Sequence, residues 1–380
     1  MAMSSYSHRI FKLLILSVFL FSAESIYSQS TFEASGSNSG GDWSDPTSWT
    51  KTINNNANTY PQAGDIAIIK FDGSVDVDAS NAAAASLTIE SSGSGGGLLR
   101  VRLSKTLNIS GAITIQPGGS TIFQVNSGCT VNASSISVGG GTVNISGSLN
   151  LSTGSAVISG AGSLNISNTG SITLSNGIIN VGSTSAGALV VNAGGSLSCT
   201  GLTVGAFSSG VTLSGSINLG GGTWTNGGFV SPVSGTVYNF SQLTVTNPIT
   251  LLSGGVINGP FNGTTEGAIN SSIDLSTESI LSSGNGIIKI KGSLTIGSGK
   301  FTPGSSTIHT YGTSTISAAN AIELNNVTVE SGTLDLQGAT VVVNGSVTNN
   351  GDLTISGTYQ FINFSNSGNV TNNGSLIIEA

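Results

Sequence analysis

Apolar and polar residues alternate in short bursts along most of this chain. One phrase carries the pattern. Gly147-Ser148-Leu149-Asn150-Leu151-Ser152 returns as Gly162-Ser163-Leu164-Asn165-Ile166-Ser167, as Gly170-Ser171-Ile172-Thr173-Leu174-Ser175 and as Gly292-Ser293-Leu294-Thr295-Ile296. Looser copies lie at 215–219, 332–336 and 351–355. Apolar residues at i and i+2 with a polar residue between them leave one face of a strand. Glycine and asparagine bracket each copy and supply the tight bends that end a strand after about three to five residues. Strands this short are not stable alone and must stack on copies of themselves. Strand starts recur about every 7 residues, so three make a turn of about 22, a period typical of solenoids. No segment shows helical apolar spacing over three turns. A pair of sandwich domains would need longer strands and more widely spaced turns. The pattern therefore predicts an all-β chain: a single-stranded parallel β-helix (β-solenoid), with about three short strands per ~22-residue coil. From about residue 83 to the end this makes roughly 13 coils and a rod ~60 Å long.

Inside such a coil Leu, Ile and Val fill the core, and Ser, Thr and Asn face outward. Asparagines at the bends, as in Asn176-Gly177, Asn349-Asn350-Gly351 and Asn372-Asn373-Gly374, are expected to bond coil to coil through their amides. The pattern divides the chain into residues 1–28, an export signal; 29–90, an N-terminal capping module; 91–257, central coils; 258–285, a less regular segment or protruding loop; and 286–380, C-terminal coils.

The signal is read from Arg9 and Lys12, then an apolar run over 13–21 broken only by Ser17. That run is too short for a membrane span, which needs about 20 residues. Cleavage is expected after Ala23-Glu24-Ser25 or after Ser28, and no later stretch is apolar enough to insert in a bilayer as a helix. Removing 1–28 takes the 10 basic and 17 acidic residues to 8 and 16, and the net charge from −7 to −8. An acidic chain without a basic patch fits neither nucleic acid nor an anionic membrane surface. Only 7% of residues are charged and 55 are glycine. The regular recurrence of Leu, Ile and Val argues against disorder. Cys129 and Cys199 lie about three coils apart, ~15 Å along the axis at one strand spacing per coil. They are therefore expected to be free core residues, not a disulfide.

Residues 36–90 differ from the rest. Gly41-Asp42-Trp43-Ser44-Asp45-Pro46-Thr47-Ser48-Trp49 is followed by Tyr60-Pro61-Gln62-Ala63-Gly64-Asp65 and by Val75-Asp76-Val77-Asp78. Trp43, Trp49 and Tyr60 are large enough to cover the open first coil of a solenoid. The alternative is an aromatic platform for sugars, which makes them candidate ligand-binding residues. The series G-x-W-x-D-P-x-x-W, P-x-x-G-D, V-x-V-D and a Ser-Leu-Thr-Ile strand resembles the opening unit of large secreted bacterial β-helix proteins, many of them exported by the type IX secretion system. That resemblance implies a surface or adhesin-like protein. A C-terminal sorting domain of the kind such proteins carry is not recognisable. The chain stops within a repeat, and that uncapped coil would allow head-to-tail self-association.

Chemistry is sparse. Between Glu90 and Glu266 the only charged residues are Arg100, Arg102 and Lys105, and there is no histidine. General acid–base work needs a titratable group, so the central coils cannot supply a glycosidase carboxylate pair. The best candidate patch is Glu266, Asp274, Glu278, Lys289, Lys291, Lys300, His309 and Tyr311. One-coil spacings there would stack Glu266, Lys289 and His309 as catalytic candidates of a polysaccharide lyase or hydrolase. No metal or cofactor motif stands out: Cys-x-x-Cys, the calcium nonapeptide and a phosphate loop are missing. Asp76 and Asp78 read as exposed acids. Thr244-Val245-Thr246 has no ladder of copies of the kind an ice-binding face would need. The preferred reading is a secreted or cell-surface structural or adhesive protein without catalysis, with extracellular polysaccharide or another cell-surface component as partner. A polysaccharide-degrading enzyme and a filament subunit are the alternatives.

Overall fold

The computed structural model describes residues 29–379, less 37–39, 93–94, the short stretches at 119, 184, 207 and 220–222, most inter-strand residues between 227 and 306, and 339. Between 239 and 302 it describes strands and, of their side chains, Leu294 alone. The expected export signal lies outside the described residues, as does most of the chain between strands in 258–285.

The chain is an all-β parallel solenoid. Strands of mostly four residues follow one another around three faces, and each pairs in parallel with the strand one coil before and one coil after. Leu98–Val101, Thr106–Ile109 and Ala112–Ile115 show the cycle. They pair with Ile122–Val125, Thr130–Ala133 and Ser135–Val138 respectively. The first face, which contains Ala112–Ile115, is a 17-stranded sheet. The second, which contains Leu98–Val101, has 8 strands, and the third, which contains Thr106–Ile109, has 16. A three-stranded sheet of Ile249–Thr250, Ile280–Ser282 and Lys300–Thr302 takes the second face's place in later coils.

Alternation drives this arrangement. In Thr106–Ile109 the side chains of Leu107 and Ile109 turn inward and are buried, while Thr106 and Asn108 stand outside. Among the described residues the inward side chains form one core cluster that includes Phe32 at one end and Phe361 at the other. Cys129 and Cys199 belong to it, buried and free. Burial pushes the Cys199 thiol up to about 11. Trp224, at a position filled by Leu202 one coil earlier, is wholly buried with no partner for its indole N–H.

Coil length varies more than the sequence period suggests. Along the first face the register step is 23 residues from Ile113 to Ile136 but 30 from Leu243 to Ile273, where a short antiparallel hairpin is inserted (Phe261–Asn262 with Thr265–Glu266). It falls to 17 from Leu353 to Val370. In these tight last coils the break between the second and third faces narrows to a register shift between Val343 and Ser346. Thr340–Asn349 and Thr358–Asn366 each run through both faces as one long strand.

At the N-terminal end, Thr31–Ala34 pairs in parallel with Ile66–Ile69 and antiparallel with Thr50–Ile53. Trp43 and Trp49 pack edge to face inside the first coils, ring centroids 5.1 Å apart. The Trp49 indole donates to the Trp43 carbonyl at 2.9 Å, and the Trp43 indole donates to the Pro61 carbonyl at 3.2 Å. A second aromatic group, Tyr359, Phe361 and Phe364, lies in the long C-terminal strands. Burial and the charge of Asp335 push the Tyr359 phenol up to about 12.

Candidate functional site

A solenoid offers its surroundings the outward residues of its strands, stacked into columns by the register. On the third face two columns run in unbroken register. One is Thr106, Thr130, Ser148, Ser171, Ser196 and Ser216; the other is Asn108, Asn132, Asn150, Thr173, Ser198 and Asn218. Neighbouring strands stand about 4.8 Å apart, and i and i+2 along a strand about 6.7 Å, so the columns form a regular grid. Asn132 donates its amide to Asn108 at 2.8 Å, and Asn150 to Asn132 at 2.9 Å. The Ser171 hydroxyl donates to Ser148 at 3.1 Å. Amide ladders also sit on the strands themselves, here and in Asn165 donating to Asn144 on the second face at 3.0 Å, besides the bend expected at 349–351, where Asn349 donates to Asn366 one coil on at 2.7 Å.

Further along, the second of these columns continues through Tyr238, Asn258, Lys289, His309 and Thr328. The register therefore brings Lys289 and His309 to adjacent positions on one face. It does not bring Glu266 there. Glu266 pairs with Phe261 in the inserted hairpin, and the residue one coil before Lys289 is Asn258. The partner that sequence reasoning missed is Glu330, whose carboxylate lies 2.8 Å from His309 Nδ1. Its signal was its place two residues beyond Thr328, the register partner of His309, and past the end of the 266–311 cluster.

The N-terminal acids are occupied. Asp76 is buried, not exposed as the sequence suggested, because its neighbours cover it. Arg100 one coil on donates to it through Nε at 2.6 Å and Nη2 at 3.0 Å, and Arg102 pairs with the same carboxylate. Asp65 is 1% exposed. It accepts from the Ser30 amide at 3.2 Å, the Gln62 amide at 3.1 Å, the Asn58 side chain at 2.7 Å and the Asn56 side chain. Four donors aimed at one carboxylate leave it no lone pair for a cation. Lys70 bridges Glu33 and Glu90 at 3.4 and 3.3 Å. Trp43 and Trp49, packed inside, present no ring face to a sugar, and Tyr60 is partly buried against the core.

Among the described residues no group of three or more His, Cys, Asp or Glu could hold a metal ion. No helix among them is long and apolar enough to cross a membrane. No protein-family model matches the chain, and no curated protein matches it.

Proposed function

We propose that this chain is an exported structural and adhesive β-solenoid of the cell surface or its surroundings, which holds extracellular glycans through its outward side chains without cleaving them. The observation that carries this reading is the pair of hydroxyl and amide columns on the third face, which between Thr106 and Asn218 can bond to sugars but carry no proton-transfer group. The basic-then-apolar start of the chain and the resemblance of residues 41–78 to secreted β-helix proteins support export. In this reading residues 29–90 close the first coil, with Trp43 and Trp49 as the plug.

A second reading rests on one contact, that of His309 with Glu330 beside the Lys289 position. A carboxylate that orients an imidazole is an element of many hydrolytic sites. One experiment separates the two readings. The purified protein is incubated with a panel of polysaccharides, and retention and new chain ends are scored in the same tubes. Retention without new ends is expected. New ends that vanish in His309→Ala would establish the catalytic reading in its place.

A further inference from the structure

The three faces do not share one outward composition. Over the same coils the first face admits Ala112, Val157 and Ile178 at outward positions, and the second admits Ile122, Ala188 and Val190. Aliphatic side chains, Ile122 and Ile178 among them, are thus acceptable outside the sheet as far as folding goes. The third face admits none from Thr106 to Asn218, and no charge either. Folding alone does not account for this restriction.

We infer that the third face between Thr106 and Asn218 is the adhesive surface, and that its ligand is a neutral, extended polysaccharide lying along the solenoid axis. This rests on the adhesive reading above and names its surface and ligand class. In the ladder of Asn108, Asn132 and Asn150 an amide uses one N–H and one lone pair on its neighbours, out of two N–H and two lone pairs, which leaves a donor and an acceptor for a ligand. A sugar hydroxyl needs both. Successive coils repeat at about the length of a sugar unit, so a chain along the axis meets equivalent groups at each step. Each contact is weak, and affinity comes from many in series. The surface lacks the aromatic and apolar residues that anchor a protein partner. The protein's net charge of −7 disfavours an acidic polymer.

The test uses cellulose and β-1,3-glucan as neutral probes and polygalacturonate and alginate as acidic ones. One variant places charges on the third face (Asn132→Lys, Thr173→Lys, Asn218→Lys). Its control places them on the first (Thr114→Lys, Asn180→Lys, Thr225→Lys). Circular dichroism reports whether each folds. A milder variant, Thr106→Val with Thr130→Val, removes hydroxyls while keeping β-branched shape. The expected result is retention on a neutral probe that falls about tenfold or more in the third-face variant, falls measurably in the valine variant and is unchanged in the control. Equal retention of all variants would remove the assignment to this face and leave the adhesive reading standing. Equal loss in both lysine variants, or retention on acidic probes only, would also overturn the inference. No retention of the wild type on any probe would instead overturn the adhesive reading beneath it.

Discussion

Single carboxylates hold the first coils together. Asp65 is the acceptor on which the 56–62 segment converges, and its removal leaves buried donors with nothing to bond. A donor stranded in that way costs about 1–3 kcal/mol. Asp65→Ala is therefore expected to lower local stability by about 3 kcal/mol. The loss should appear as faster exchange of the Ser30 and Gln62 amides. It should also appear as red-shifted emission from Trp43, whose indole bonds to Pro61 in the same segment. Unchanged exchange would show that the cage is incidental. Asp78 makes a pH-dependent link. Partial burial pushes its carboxyl up, but the Ser44 hydroxyl and amide, with the backbone amides of Asp78 and Ala79, pull it below 3.8. A carboxyl that titrates lower in the folded state contributes stability above its unfolded value and loses it as pH falls through the folded one. Ser44→Ala leaves the amide donor and removes the hydroxyl. A carbon-13 titration of Asp78 should then move back toward 3.8, and an unmoved curve would mean the hydroxyl contributes nothing.

At the scale of the strand and its bend, glycine is required by space. Gly332 takes φ +75° at a bend, and Gly351 and Gly368 follow it one coil apart. A Cβ on Gly351 would sit 2.4 Å from the Gly332 carbonyl oxygen, and one on Gly368 would sit 1.7 Å from that of Gly351. Backbone stacks on backbone there, and neither oxygen can swing aside as a side chain could. Gly351→Ala is expected to destabilise the last coils by about 1–3 kcal/mol through forced backbone shifts. Limited proteolysis should then cut the region after residue 330 sooner than in wild type, and identical digestion would count against a tight corner. These elements also show what the sequence makes legible. The phrase at 147–152 announces a strand and its bends, and the structure agrees. Yet the same phrase lies on the third face at 148–151, on the second at 162–166 and on the first at 292–296. Because a phrase of inward Leu or Ile and outward Ser, Thr or Asn is admitted on all three faces, the phrase does not tell which face it occupies. The two columns of the third face became visible only once the register was known. The weak repeat marked 258–285 as less regular but did not show a hairpin at 261–266, and so Glu266 was set one coil from Lys289 by counting residues.

For the whole molecule, each coil touches only its neighbours, so stability is a sum of coil and interface contributions and not one global quantity. Cooperativity then depends on every interface being strong enough to pass unfolding along. Leu164 is a sensitive place to test this. It is fully buried between Val143 and Leu189 in the middle of the rod. Truncating it to alanine leaves a cavity that costs about 2–5 kcal/mol. In a solenoid that loss falls on two interfaces only, and the coils on either side keep their own packing. Leu164→Ala is therefore expected to split urea unfolding into two steps, with hydrogen exchange assigning one to each side of the cavity. Leu353→Ala, also buried but near the last strands, should fray the C-terminal coils and leave the main transition in place. If Leu164→Ala instead shifts a single transition without splitting it, the rod unfolds as one unit. The interfaces between coils would then be much stronger than the coils themselves. That outcome would also bear on adhesion. A ligand spread over many coils can pull on the rod without opening it only if the coils fail together or not at all.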